Sequence, residues 1–274
     1  MSGNLDHEID VAARIAREAA ELVRGYHGKP LTISAKAGDE PVSDADIAAN
    51  ALIVARLTEA FPDDVILSEE LPDTGERLGQ RRVWMVDPID GTRDFIAGDS
   101  GFVVMIGLAI EGRPAAGAVA HPITGKVYMG APGVGAWVEA TPGDRVPIHT
   151  SLTASPPDIR LVASKSHRTS RVDAVKQALQ ITDEINVGSI GLKIGLVSEG
   201  SRDLYFYGGG RTKIWDTCGP EAILVGAGGR LTDVDGAPLV YDRPELYNRR
   251  GIVASNGPLH DFVITTVAPL VGTY

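Results

Sequence analysis

The segment Asp87-Pro88-Ile89-Asp90-Gly91-Thr92 sets two carboxylates close together directly behind the apolar run Val83-Trp84-Met85-Val86. Carboxylate oxygens are hard donors of the kind Mg²⁺ takes. Pro88 keeps Asp87 out of the helical region, so the strand is predicted to end at Asp87 and both acids to turn toward one point. Gly91 and Thr92 can then open a helical turn, whose free backbone N–H groups bind phosphate. Alone, the segment also reads as an ordinary turn, because Asp, Pro and Gly dominate turns. Two other segments change the balance. Ser68-Glu69-Glu70 follows the short apolar run Val65-Ile66-Leu67, and Trp215-Asp216 lies between Gly208-Gly209-Gly210 and a helix. Three strand-end or helix-start positions each present an acid, which is how a two-metal phosphoryl site is assembled.

Other acidic motifs fit less well. Phosphatases of the haloacid-dehalogenase type use Asp-x-Asp-Gly-Thr with the first Asp as nucleophile, but here both Pro88 and Ile89 separate the acids. An EF-hand needs ligands alternating over a longer loop. Asp233-Val234-Asp235-Gly236 reads as a hairpin turn.

The elements that must hold these residues come from periodicity. Residues from about 5 to 24 form an amphipathic helix with Ile9, Ala13, Ala16, Ala20 and Val23 on one stripe, ended by Gly25, Gly28 and Pro30. A second helix is predicted over about 44–60, opened by a Ser43/Asp46 capping box, with Ile47, Ala51, Val54 and Leu57 as its apolar stripe. Apolar runs at 65–67, 83–86, 102–110, 115–120, 126–130 and 136–138, punctuated by Gly and Pro, predict an antiparallel sheet. The Pro/Ser/Thr-rich stretch 141–157 is the best candidate boundary. Beyond it, strands at 161–163, 204–206, 230–232 and 251–254 alternate with helices at 172–179, 190–198 and 219–227, an α/β pattern.

The 274 residues, 43% hydrophobic and 23% charged, suffice for one large domain or two small ones. The net charge of −10 argues against a basic face for a nucleic-acid polymer. The single cysteine, Cys218, excludes an internal disulfide framework and a multi-cysteine zinc site, and reads as a small packing residue. The N-terminal stretch lacks the basic-then-apolar order of a signal peptide, and no run is long enough to span a bilayer. The expected location is the cytoplasm, with no membrane partner.

Asp87-Pro88-Ile89-Asp90-Gly91-Thr92, with Ser68-Glu69-Glu70 upstream and Trp215-Asp216 downstream, resembles the inositol-monophosphatase superfamily, and this order of motifs spans nearly the whole chain. Pro41-Val42-Ser43-Asp44-Ala45-Asp46, Leu161-Val162-Ala163-Ser164-Lys165-Ser166-His167, Gly188-Ser189-Ile190-Gly191-Leu192-Lys193 and Trp215-Asp216-Thr217-Cys218-Gly219-Pro220-Glu221 are similar to its 3′(2′),5′-bisphosphate nucleotidase branch. Gly219 stands where relatives often carry Ala.

The resemblance implies an α/β fold, a layered αβαβα sandwich of the sugar-phosphatase type. Residues 1–145 would form an α+β half carrying metal motifs. Residues 146–274 would form an α/β half carrying substrate contacts and the last metal ligand. It implies two to three Mg²⁺ ions: Glu69, Asp87 and the Ile89 carbonyl at the first, Asp87, Asp90 and Asp216 at the second, and a weaker one near Glu69. Asp46 and Thr92 would position and deprotonate the attacking water, and Gly91 and Thr92 N–H groups would grip the phosphate. The implied reaction removes the 3′-phosphate of adenosine 3′,5′-bisphosphate, a by-product of sulfate activation, with sensitivity to Li⁺. The partner is thus a small phosphorylated molecule, and the chain is expected to be a monomer or a homodimer.

Several of these residues also have plain structural readings. Asp46 completes a capping box. Lys193, in an apolar helix, would snorkel to solvent or hold a second phosphate as a point charge. Lys213 and Arg211, after the triple glycine, could do the same. Lys36 and His167 are either solvated loop residues or substrate contacts. The rival functions are hydrolysis of inositol 1-phosphate, fructose 1,6-bisphosphate or histidinol phosphate, and a non-catalytic metal-dependent ligand-binding protein. The latter would lack a ligand or Thr92, and none is missing.

Overall fold

The computed structural model describes residues 5–35, 40–165 and 170–271. Lys36 and His167 lie outside these. Two helices open the chain, α1 (Asp6–Tyr26) and α2 (Asp44–Ala60), linked through the antiparallel pair β1 (Ile33–Ala35) and β2 (Pro41–Ser43). The α1 stripe Ile9, Ala13, Ala16, Ala20 and Val23 is buried as its spacing predicts. The α2 stripe is corrected. Its buried face runs through Ala45, Ala49, Ile53 and Leu57, while Ile47 is exposed. This helix is apolar on two sides, so periodicity alone does not choose. The alanine face lets α2 pack with α1 in one cluster, and it turns Asp46 and Asn50 inward.

Seven strands follow: β3 (Val65–Ser68), β4 (Arg82–Asp90), β5 (Val103–Ile110), β6 (Arg113–Ala120), β7 (Val127–Ala131), β8 (Gly135–Glu139) and β9 (Arg145–Pro147). The short helix α3 (Thr92–Ile96) lies between β4 and β5. The sheet order is sequential, β3 to β9; β3 and β4 are parallel and every other pair is antiparallel. Contrary to the sequence expectation, β4 does not stop at Asp87 but runs on to Asp90, with its register against β5 shifting between the two acids. Pro88 falls inside this irregularity, where a missing N–H costs no ladder bond.

The remaining elements are β10 (Arg160–Ser164), α4 (Ser170–Leu179), β11 (Asp183–Val187), α5 (Ile190–Ser198), β12 (Leu204–Tyr207), α6 (Ile214–Gly226), β13 (Gly229–Thr232), β14 (Ile252–Asn256) and α7 (His260–Val271). They build a mixed five-stranded sheet in the order β11-β10-β12-β14-β13. Helix α6 begins at Ile214 rather than at 219, so Pro220 lies inside it and Trp215-Asp216 lie in its first turn. Helix α7 is rich in β-branched residues, which locally favour strand. It is helical because Val263, Val267 and Val271 pack on the five-stranded sheet.

Strand alternation sorts these elements into layers. In β4, Trp84 and Val86 face α1 and α2, whereas Val83 and Met85 face Ile194 of α5 and Trp215 and Cys218 of α6. In β12, Tyr205 and Tyr207 face the same middle helices, and Leu204 and Phe206 face α4 and α7. The result is the αβαβα sandwich. The α6–sheet contact is backbone on backbone: a Cβ at Gly117 would meet Gly219 O, and a Cβ at Gly219 would lie 2.7 Å from Ile106 O. No helix among the described residues is long and apolar enough to cross a membrane.

Candidate active site

A cleft of about 280 Å³ opens between the two sheets, bounded by β4, the turn at Gly91, the start of α5 and the start of α6. Glu69 follows β3, Asp87 lies on β4 and Asp216 in the first turn of α6. Three elements thus bring three carboxylates together, with one ligand atom from each within 4.8 Å of the others. Asp87 is buried, and its Oδ1 accepts the Ile89 N–H at 3.0 Å, which fixes its rotation. Asp216 Oδ2 accepts the Lys213 N–H at 2.7 Å. Burial pushes the Asp216 carboxyl well above the usual range, and the nearby Asp90 and Glu69 charges push it further. Clustered hard oxygens that repel one another are a donor set suited to Mg²⁺, whose charge relieves that repulsion.

Asp90 lines the same cleft, but its Oδ2 is engaged: it accepts from Ser189 Oγ at 2.6 Å and from the N–H groups of Ile190 and Gly191 at 2.5 and 2.9 Å. It therefore tethers the N-terminus of α5 to the end of β4, a placement the helix dipole favours. Burial raises its carboxyl, against the lowering effect of Lys193 and these hydrogen bonds. Ser189, present in the Gly188–Lys193 motif but given no role from sequence, also caps α5 by accepting the Leu192 N–H at 3.1 Å. A serine directly before a helical pattern was the available signal.

Asp46 forms the capping box and also reaches Thr92. Its Oδ2 accepts from Ser43 N at 2.8 Å and Ser43 Oγ at 2.5 Å, completing the capping box, while its Oδ1 faces Thr92 Oγ1 at 3.2 Å. Thr92 Oγ1 also lies 2.9 Å from the Ile89 carbonyl. Gly91 must be glycine: its φ is +99°, and a Cβ there would sit 2.6 Å from Gly101 O.

The basic residues are placed less as expected. Lys193 does not snorkel. It is 2% exposed, its Nζ donates to Gly188 O at 3.2 Å, and it lies 5.2 Å from the Tyr205 ring centre. Burial lowers it to about 8, while Asp90 and Asp94 pull the other way. Lys213 Nζ pairs with Glu40 at 2.8 Å and Glu69 at 3.4 Å. Burial alone would lower it, but the surrounding carboxylates leave it raised. Arg211 lines the cleft and is exposed. Glu40 carries no distinct sequence signal, standing beside Asp39 in a polar stretch before Pro41. Cys218 is fully buried, as a packing residue would be.

Comparisons with known proteins bear on this geometry. The profile of the inositol monophosphatase family matches residues 4–271. The 3′(2′),5′-bisphosphate nucleotidase CysQ of Escherichia coli is 38% identical over 254 residues, covering 90% of this chain and 99% of that protein. Among solved structures, CysQ from Bacteroides thetaiotaomicron superposes with a TM-score of 0.79 at 26% identity, covering 93% of this chain and 98% of its own. A Thermotoga maritima IMPase superposes at 0.81 with 24% identity, covering 97% and 100%, and supports the fold alone.

Proposed function

The chain belongs to the inositol monophosphatase family, and from that premise we propose that it is a Mg²⁺-dependent phosphomonoesterase that removes the 3′-phosphate of adenosine 3′,5′-bisphosphate to give AMP. The observation that carries this reading is the convergence of Glu69, Asp87 and Asp216 in a cleft that is also lined by Thr92, the partner of Asp46, and by the buried Lys193. The substrate follows from the similarity to the bisphosphate nucleotidases. So does a role in sulfur assimilation, with inhibition by Li⁺ and a cytoplasmic location as further expectations.

Glu69, Asp87 and Asp216 would hold the cation, with Asp90 and the Ile89 carbonyl at its edge. Bound Mg²⁺ supplies positive charge that acidifies the attacking water and stabilises the leaving oxygen. Thr92 has one hydroxyl proton and two acceptors, Asp46 Oδ1 and Ile89 O. When it donates to Asp46, a lone pair on Oγ1 faces the attacking water; as Oγ1 takes the water's proton, its own hydroxyl proton passes to Asp46 Oδ1, so the carboxylate is the final proton acceptor. The two Ser43 donors on Asp46 Oδ2 keep that carboxylate oriented. The N–H groups of Gly91 and Thr92, at the first turn of α3, would hold the transferred phosphoryl group. Lys193, fixed in the cleft wall, would meet the second phosphate.

The test is phosphate release from adenosine 3′,5′-bisphosphate, inositol 1-phosphate and fructose 1,6-bisphosphate, with and without Mg²⁺ and with added Li⁺. The nucleotide is expected to be hydrolysed fastest, and only with Mg²⁺. If it is the poorest substrate, the nucleotidase assignment is wrong. Asp90→Asn should lose Mg²⁺-dependent activity; full retention would remove Asp90 from the centre.

A further inference from the structure

Lys213 does two things at the start of α6. Through its backbone it is part of the scaffold. Its N–H caps Asp216, its carbonyl accepts from Asn248 Nδ2 at 3.2 Å, and it bridges to Tyr247. Through its side chain it is a cation in the carboxylate cluster. The ammonium lies 2.8 Å from Glu40 Oε2 and 3.4 Å from Glu69 Oε1, with the rings of Trp215 and Tyr247 at 5.2 and 5.9 Å. The side chain is 13% exposed, so water screens these charges weakly. Glu69 is also one of the three converging carboxylates. An ammonium and a divalent cation touching one carboxylate repel each other strongly at a site shielded from water. One must give way, and the ammonium has somewhere to go. Glu40 is already the nearer partner, and it is itself 45% exposed.

We infer that Lys213 is an intramolecular competitor for the cation at Glu69: it must shift from Glu69 onto Glu40 as Mg²⁺ enters, and this exchange sets the Mg²⁺ affinity of the centre. The inference rests on the metal-dependent reading above. It adds that the affinity is held below what the carboxylates alone would give. Lys213 is then a positioning residue for charge in the centre.

Calorimetric titration with Mg²⁺, without substrate, tests it. Lys213→Gln should bind Mg²⁺ about tenfold more tightly than the wild type, equivalent to about 1.4 kcal/mol. Lys213→Arg, which keeps the charge, should stay near the wild type. Lys165→Gln removes another lysine of the cleft, one paired with Asp99 at 2.7 Å. It should leave the affinity nearly unchanged, which separates a specific contact from a general loss of positive charge. No tightening in Lys213→Gln, or equal tightening in Lys165→Gln, overturns the inference alone. Failure of the wild type to take up Mg²⁺ overturns the metal reading as well. Should Lys213→Gln not fold, the wild type still decides. With ¹³C-labelled lysine, the Lys213 ε-methylene resonance should move on Mg²⁺ saturation, and a stationary resonance rules the exchange out.

Discussion

In the proposed reaction the Thr92 hydroxyl takes its role from its position. Its Oγ1 sits between Asp46 Oδ1 and the Ile89 carbonyl, at a turn that Gly91 alone permits. Removing the hydroxyl as Thr92→Val should leave Mg²⁺ binding nearly intact, since no carboxylate changes. The turnover number should fall by about 10²–10⁴-fold, the usual range for losing a positioned proton acceptor. Calorimetry and steady-state kinetics on the same variant separate the two effects. Equal losses in metal affinity and rate would mean that Thr92 supports the cation site instead. At this scale the acids Asp87, Asp90, Glu69 and Asp216 were legible because each follows an apolar strand or opens a helix. Glu40 acts through a partner far along the chain, Lys213, so local spacing could not single it out; Ser189 was legible as a helix cap, but its hold on the distant Asp90 was not.

Helix α6 is the element that sets the geometry of the centre. It carries Asp216 in its first turn and lies so close to β5 and β6 that Gly107, Gly117 and Gly219 meet backbone to backbone. A methyl group here has no side chain to push aside. Gly219→Ala is expected to destabilise this chain by about 1–3 kcal/mol through overpacking. It should also weaken Mg²⁺ binding by displacing Asp216. Urea denaturation followed by circular dichroism measures the first, and calorimetry the second. An unchanged midpoint would mean that the sheet yields to the helix. Packing of this kind also explains the register of α2, where the buried alanines face α1.

Among the acids buried outside the proposed chemistry, Glu221 lies in the layer between the two sheets. Glu221 of α6 is 2% exposed and accepts a hydrogen bond from Tyr241 Oη at 2.5 Å. Burial raises it to about 7, against the lowering effects of Tyr241 and Arg113. A carboxyl raised from 4.5 to about 7 binds more protons in the folded state between those values. Its contribution is therefore full below pH 4.5 and is lost as pH rises through about 7. The loss is on the order of 3 kcal/mol as an upper bound. His260, lowered to about 4 by burial, acts in the opposite direction at lower pH. The informative quantity is thus a difference between variants. Wild-type stability in EDTA should fall more between pH 5.5 and 7.5 than that of Glu221→Gln, whose amide oxygen can still accept from Tyr241. Parallel urea series at the two pH values measure this, and identical slopes would remove Glu221 from the account.

Much of this protein was determined by its sequence alone. The apolar runs and their Gly and Pro punctuation specify most strands, and the acids behind them specify a cation-binding, phosphoryl-handling chemistry. Hydrophobic period and side-chain charge are local properties, which is why they can be read in one dimension. What only the tertiary structure decided is where those groups meet. It carried β4 through Pro88 to Asp90, because a register shift there leaves no ladder bond to lose. It made α7 a helix against its local preference, because three valines find the sheet. It buried Lys193 against backbone carbonyls and set Lys213 between Glu40 and Glu69. A long cationic side chain takes its position from the carbonyls and carboxylates around it, and those come from segments that only folding brings together.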